Sequence, residues 1–243
     1  MAASIEVKIY SEPKKVAKKI AREIKKLILE PGRSRFDIAL SGGNTPKKLF
    51  KKLAKKHGDT IPWENVHFWW SDERCVGPTS DQSNFWMANE YLFLKISVPA
   101  KNIHRIRGEN NPVSEAERYS EELRKQLGKK NNIPVFDLIM LGMGDDGHTA
   151  SIFPGQLHLF QSEQNSLVAE HPQTGQKRIT LTGKVLNNAK NIFFIVTGEN
   201  KAQRISEIMN NEESAKKHPA YYIEPINGSV TWFLDEPAAS KIS

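Results

Sequence analysis

The sequence predicts an α/β fold: an open, mainly parallel twisted sheet with helices on both faces, a Rossmann-like three-layer sandwich. Three observations predict it. The runs "FDIAL" (36–40), "VHFWW" (66–70), "FDLIML" (136–141) and "IFFIVT" (192–197) are almost continuously apolar, as strands buried on both faces are. Segments with helical periodicity separate them. No repeat, low-complexity tract or Gly/Ser/Pro linker breaks the chain, so residues 1–243 read as one domain.

Element by element, Ile5–Tyr10 reads as a strand. A helix follows over about 13–29, where Val16, Ile20, Ile24, Leu27 and Ile28 recur at helical spacing and lysines fill the other faces. After the strand Phe36–Leu40, Pro46 opens a helix to about Lys56 with Leu49, Phe50, Leu53 and Ala54 inward; Thr45 suits its N-cap. Val66–Trp70 is a strand and Asn84–Leu94 a helix. Ser114–Leu127 carries a capping box, Ser114 with Glu117, and Gly128 just past its end. Strands are expected at Phe136–Leu141, Ile179–Leu181 and Ile192–Thr197, then a helix from Lys201 to Met209. Tyr221–Ile223 and Val230–Phe233 read as short strands.

Composition narrows the function. Mean hydropathy is −0.54 and no apolar run approaches the ~20 residues of a membrane span. The N-terminus lacks the apolar core of a signal peptide, and Cys75 is the only cysteine, so no internal disulfide can form; a cytoplasmic protein is expected. The net charge of +7 raises the question of nucleic acid. The lysines, however, occupy the outer faces of amphipathic helices, and no helix-turn-helix, zinc-finger or RNP-like pattern occurs. The expected partner is a small molecule, with no nucleic acid and no membrane, and the expected state a monomer or weak homodimer.

In open α/β sheets ligands bind beyond the carboxyl ends of the strands. Four loops there have unusual contents: "SGGNTP" (41–46), "SDERCVG" (71–77), "GMGDDGH" (142–148) and "TGENK" (197–201). If their strands are parallel neighbours, all four share one rim. Ser41, Gly42, Gly43 and Thr45 lead into a helix N-terminus, whose free N–H groups suit a phosphate. Asp72 can orient a hydroxyl or side chain and Arg74 can pair with phosphate. Arg178 and Lys201 are further candidate cations.

Gly142, Gly144 and Gly147 also fit the dinucleotide fingerprint G-x-G-x-x-G, but Pro154 and Gly155 follow too soon for the long helix it requires. His148 needs another explanation. A neutral imidazole can take a proton from water and later return one, and a carboxylate such as Asp146 can fix its tautomer. The other histidines show no paired spacing, so no metal site is expected. No G-x-S-x-G elbow marks a serine nucleophile, which leaves Ser41 and Ser151 as weak candidates.

The blocks "ALSGGNTPKKLF", "WWSDERCVGPTSDQSN", "LIMLGMGDDGHTASIFPG", "KRITLT", "TGENKA" and "WFLDEPAAS" span about residues 36–240. In order and content they resemble the 6-phosphogluconolactonases of the glucosamine-6-phosphate isomerase/6-phosphogluconolactonase family. Asn44 stands where those proteins often carry Ser. The resemblance implies hydrolysis of 6-phospho-D-glucono-1,5-lactone in the pentose phosphate pathway without a cofactor. His148 would be the general base supported by Asp146, and the other rim residues would hold the phosphate or the developing oxyanion. The related deaminases carry an acidic residue just before the Pro of this loop, where this chain has Phe153. A sugar-phosphate isomerase or deaminase, or a non-catalytic sugar-phosphate sensor, is the alternative.

Overall fold

The computed structural model describes residues 4–242. In chain order its elements are β1 (Ser4–Tyr10), α1 (Pro13–Ile28), β2 (Phe36–Leu40), α2 (Asn44–His57), β3 (Val66–Trp70), β4 (Asp72–Arg74), α3 (Asn84–Tyr91) and α4 (Pro112–Gln126). There follow β5 (Lys129–Lys130), β6 (Ile133–Pro134), β7 (Leu138–Leu141), β8 (Ser166–Glu170), β9 (Lys177–Leu181), α5 (Gly183–Leu186), β10 (Asn191–Val196), α6 (Ala202–Met209) and β11 (Ser229–Asp235).

Six strands form one parallel sheet in the order β1-β11-β10-β7-β2-β3. Every residue of β2 and β7 is buried, which is why these strands read as apolar runs, broken only by Asp37 in β2. On α1, Val16, Ala17, Ile20, Ala21, Ile24 and Ile28 are buried at helical spacing, so the helix lays one stripe on the core and leaves its lysines outward. β3 is an edge strand, and its end is closed from the side by Tyr119 of α4. The Tyr119 hydroxyl accepts from the Trp70 N–H and donates to the Trp70 carbonyl, both at 2.9 Å.

The chain does not end its run at Trp70. Ser71 hinges it out of the parallel sheet: its N–H donates to the Leu40 carbonyl at 2.9 Å, and its carbonyl accepts from Leu181 N–H at 2.8 Å. The next residues form β4, which pairs antiparallel with β9 in a second sheet of order β4-β9-β8. The strand expected at Ile179–Leu181 therefore belongs to this smaller sheet, not to the parallel one.

Three further expectations are corrected. α4 starts one turn earlier than a Ser114–Glu117 box predicts, because Asn111 is the cap, accepting from Val113 and Ser114 N–H at 3.1 and 3.2 Å, and Pro112 suits the first turn. α2 begins at Asn44 with Gly43 as N-cap, so Thr45 lies inside the helix and caps nothing. The expected strand Tyr221–Ile223 is instead the end of a 3₁₀ turn over Pro219–Tyr222, where the proline presets the local bend.

Candidate active site

β2, β3, β7 and β10 all run the same way, so their carboxyl ends share one rim. A cleft of about 260 Å³ opens there. It is lined by Ser41, Gly42 and Gly43, by Asp72 and Arg74, by Gly142, Met143, Gly144 and His148, and by Lys201, so all four loops contribute. Arg178 joins them from β9, and Asn84 and Ala150 complete the wall.

The "GMGDDGH" loop is wound so that a carboxylate grips the imidazole. His148 Nδ1 lies 2.7 Å from Asp146 Oδ1, and the same oxygen accepts the His148 backbone N–H at 3.0 Å. With Nδ1 engaged, Nε2 is the nitrogen left for a reacting proton. The loop is pinned by Gly144 N–H donating to the His148 carbonyl and by the Thr149 hydroxyl donating to the Gly142 carbonyl, each at 2.9 Å. Gly144 is required by close approach: a Cβ there would sit 2.1 Å from His148 Nδ1 and 2.6 Å from Asp146 Oδ1. The glycine pattern thus makes room for the dyad. Burial pushes the Asp146 carboxyl up, but the bonds from His148 and its nearby charge outweigh that and hold it at about 2. Asp146 is ionised across the neutral range.

The same cleft holds a pair of cations that make no salt bridge among the described residues. Arg74 and Arg178 face each other across the β4–β9 ladder. Like charges directly opposed on two strands repel. The Nε atoms of both are buried without a hydrogen-bond partner. Arg74 has one bond, from Nη1 to the Gln82 carbonyl at 2.6 Å. Burial and the neighbouring Arg74 charge push Arg178 below the usual arginine range. Beside the pair, α2 starts at Gly43 (φ +106°) with no side chain capping its N-terminus, which leaves positive backbone dipole toward the rim. Two guanidiniums and a helix end converge where an anion would relieve the repulsion.

Not every predicted residue is equally available. Thr45 is withdrawn from the cleft, with its hydroxyl 2.8 Å from that of Thr197. Asp72 lines the cleft, but its carboxylate accepts from Ser151 at 2.6 Å. Ser151 is fully buried and its hydroxyl committed, which removes it as a nucleophile. Lys201 is ion-paired with Asp145, which also accepts from Asn200 at 2.8 Å. Glu73 points away: its buried carboxyl collects the N–H groups of Arg74, Asn84 and Phe85 and the Ser83 hydroxyl, tying β4 to α3. Burial pushes it up to about 7. Among the described residues no group of three or more His, Cys, Asp or Glu side chains could hold a metal ion.

Other residues of the site escaped sequence reasoning. His171 lines a hollow beside His148 and sets its ring edge-on to Phe153 at 5.0 Å, but no local pattern marks it. Asn84 is legible only as the residue after the Ser83 cap of α3. Ala150 holds φ at +49°, an uncommon conformation for a residue with a Cβ, on the cleft wall.

The model of glucosamine-6-phosphate isomerases/6-phosphogluconolactonase matches residues 11–232. The chain belongs to the glucosamine-6-phosphate isomerase/6-phosphogluconolactonase family. Within the family it is 47% identical to the 6-phosphogluconolactonase of Haemophilus influenzae over 202 residues, covering 83% of this chain and 85% of that one. The crystal structure of the devB protein superposes with a TM-score of 0.93 at 44% identity, over 98% of this chain and 100% of that one. The 6-phosphogluconolactonase of Trypanosoma brucei does so with a TM-score of 0.86 at 25% identity, over 100% of both chains. Phe153 is fully buried. The His148 ring lies 4.6 Å from it and the Arg178 guanidinium 5.5 Å. The aromatic ring is a floor under both functional groups and has no proton to exchange. Among the described residues no helix is long and apolar enough to cross a membrane.

Proposed function

We propose that this protein hydrolyses 6-phospho-D-glucono-1,5-lactone to 6-phospho-D-gluconate, the second step of the oxidative pentose phosphate pathway, with His148 as general base. The observation that carries the reading is the pairing, in one cleft, of an imidazole oriented by a carboxylate with two opposed arginines whose Nε atoms find no hydrogen-bond partner among the described residues. The relatives named as 6-phosphogluconolactonases support the same substrate.

The phosphate, carrying roughly −1.5 to −2 charges, sits between Arg74, Arg178 and the N-terminus of α2. His148 Nε2 takes a proton from water as the water oxygen attacks the lactone carbonyl C1. The new oxyanion is stabilised by backbone amides of the 42–43 turn or by Lys201 once substrate competes with Asp145 for it. When the tetrahedral intermediate collapses, the C1–ring-oxygen bond breaks and the protonated His148 returns its proton to the departing oxygen. Asp146 stabilises the imidazolium between the two steps. A lactone carbonyl is already electrophilic, so the reading needs neither metal nor organic cofactor. Phe153 cannot shuttle the proton that opening an amino-sugar ring requires, which favours lactone hydrolysis over deamination.

The test is proton release or NMR with freshly made lactone, subtracting the spontaneous rate, on protein treated with EDTA. Turnover by treated protein and no ammonia from glucosamine 6-phosphate are expected. Loss of turnover that zinc or manganese restores, or rapid deamination, overturns the reading.

A further inference from the structure

The His148 loop rests on a second histidine. His218 is buried, in the turn after α6, and Gly147 packs directly against its ring. Gly147 holds φ at +83°, and a Cβ there would meet His218 Cγ at 2.5 Å, so the loop and the ring are in intimate contact. His218 Nδ1 lies 3.1 Å from the Asp146 carbonyl oxygen, and Nε2 lies 2.6 Å from Glu207 Oε2. Two residues on, Ala220 N–H donates to the Gly147 carbonyl at 3.0 Å.

A peptide carbonyl can only accept, so Nδ1 carries a proton toward Asp146. Glu207 is held as a carboxylate by Arg204 Nη1, 2.7 Å from each of its oxygens, and Gln203 Nε2 donates to it at 3.2 Å. Nε2 faces that carboxylate, so each ring nitrogen has its own partner. The chain of contacts runs from Arg204 through Glu207 and His218 to the backbone of Asp146, the residue whose side chain orients His148.

We propose that His218 is a positioning residue for the lactone hydrolysis proposed above: anchored by Glu207, it fixes the Asp146 carbonyl and so the angle at which His148 is presented to substrate. The inference rests on the reading of His148 as the base. The decisive contact is the one to the loop carbonyl, and two variants separate it from the other. In His218→Asn the amide nitrogen takes the place of Nδ1 and keeps the loop contact; in His218→Gln it takes the place of Nε2 and keeps only Glu207.

The experiment measures kcat, KM, the pH profile and Tm for both, with His148→Ala in parallel. His218→Gln is expected to lose kcat about tenfold, on the scale of a small misplacement of a catalytic group, with KM within about twofold. Its acid limb should move to lower pH, as an imidazole that has lost its carboxylate would make it do. His218→Asn should stay within about threefold of wild type with its limb unmoved. If kcat instead follows Tm regardless of which contact survives, or if His218→Gln matches wild type in kcat and limb, the proposal fails. Should a His218 variant not fold, Glu207→Gln takes its place: a kcat loss of about threefold with a shifted limb is expected, and wild-type values overturn the proposal. An active His148→Ala would instead sink the assignment of the base; an inactive one beside a wild-type-like His218→Gln sinks only the positioning role.

Discussion

The two edges of the parallel sheet carry similar chemistry to opposite effect. At the amino-terminal edge a hollow of about 880 Å³, far larger than the cleft of about 260 Å³ on the other rim, is walled by Arg33, Arg35, Lys190, Glu30, Asp37 and Asp137. There the arginines and Lys190 have each found an acid, and the remaining cations, Lys129 and Lys130, stand exposed to solvent. Arg33 and Lys190 share Asp137 at 2.7 and 2.8 Å, Arg33 also pairs with Glu30, and Arg35 grips Asp37 at 2.8 Å. At the carboxyl-terminal rim Arg74 and Arg178 oppose each other instead, each with an unpartnered buried Nε. Arg33 also leaves its Nε unpartnered, but two of its nitrogens are already neutralised by carboxylates. Size does not distinguish a site from a surface hollow here. Two half-buried guanidiniums set against each other do, because an anion there recovers the cost of their repulsion.

The largest effect expected from this contrast is at the dyad. His148→Ala should leave a folded protein whose kcat/KM falls by at least roughly 10²-fold, the usual scale of general acid–base catalysis. Near-normal turnover, with an unchanged circular dichroism spectrum, would break the distinction between the rims at its centre. Gly144→Ala should cost nearly as much, about 10²-fold, since the new methyl occupies the space of the His148–Asp146 bond. A variant crystal structure with the dyad intact and full activity would show that the loop can give way.

Smaller effects sharpen the comparison at the arginines. Arg178→Ala or Arg74→Ala should weaken 6-phosphogluconate binding about 10- to 100-fold, as lost charge-assisted bonds do, and weaken gluconate much less. Lys190→Ala, at the opposite edge, should lower Tm slightly and leave binding within about twofold. Calorimetry showing equal losses for both ligands, or a Lys190 effect as large as that of Arg178, would remove the phosphate from the rim.

The smallest effect is a displacement of a pH profile. Asp146 is ionised down to about 2, so a rate that falls with acid reflects protonation of the base and not of Asp146. Asp146→Asn removes a negative charge that favours the imidazolium, so the acid limb of kcat/KM should move to lower pH. Movement to higher pH would contradict the assigned contact. For stability the sign is that of a depressed acid: the contribution of the Asp146–His148 bond is complete above 3.8, the ordinary value, and is lost as pH falls through about 2.

Much of this molecule is written locally. The continuous apolar runs of β2, β3, β7 and β10 determine strands buried on both faces, and such strands with intervening helices determine a parallel sheet. Once that is known, the four loops must meet, and His148 with Asp146 two residues away is a local dyad that the glycine spacing already implies. What the tertiary structure alone decided are contacts between residues distant in the chain. Whether Arg178 opposes Arg74 depends on the register of β4 against β9. Ser151 is spent on Asp72, 79 positions away, and Lys201 on Asp145, 56 away. Thr45 faces Thr197 instead of capping its helix, and His218 reaches Asp146 across 72 positions. Periodicity and capping are set by neighbours within a turn or two, and sequence records them. Which of many arginines keeps an unpaired charge is set by packing from four separate loops, and no short stretch of sequence carries that sum.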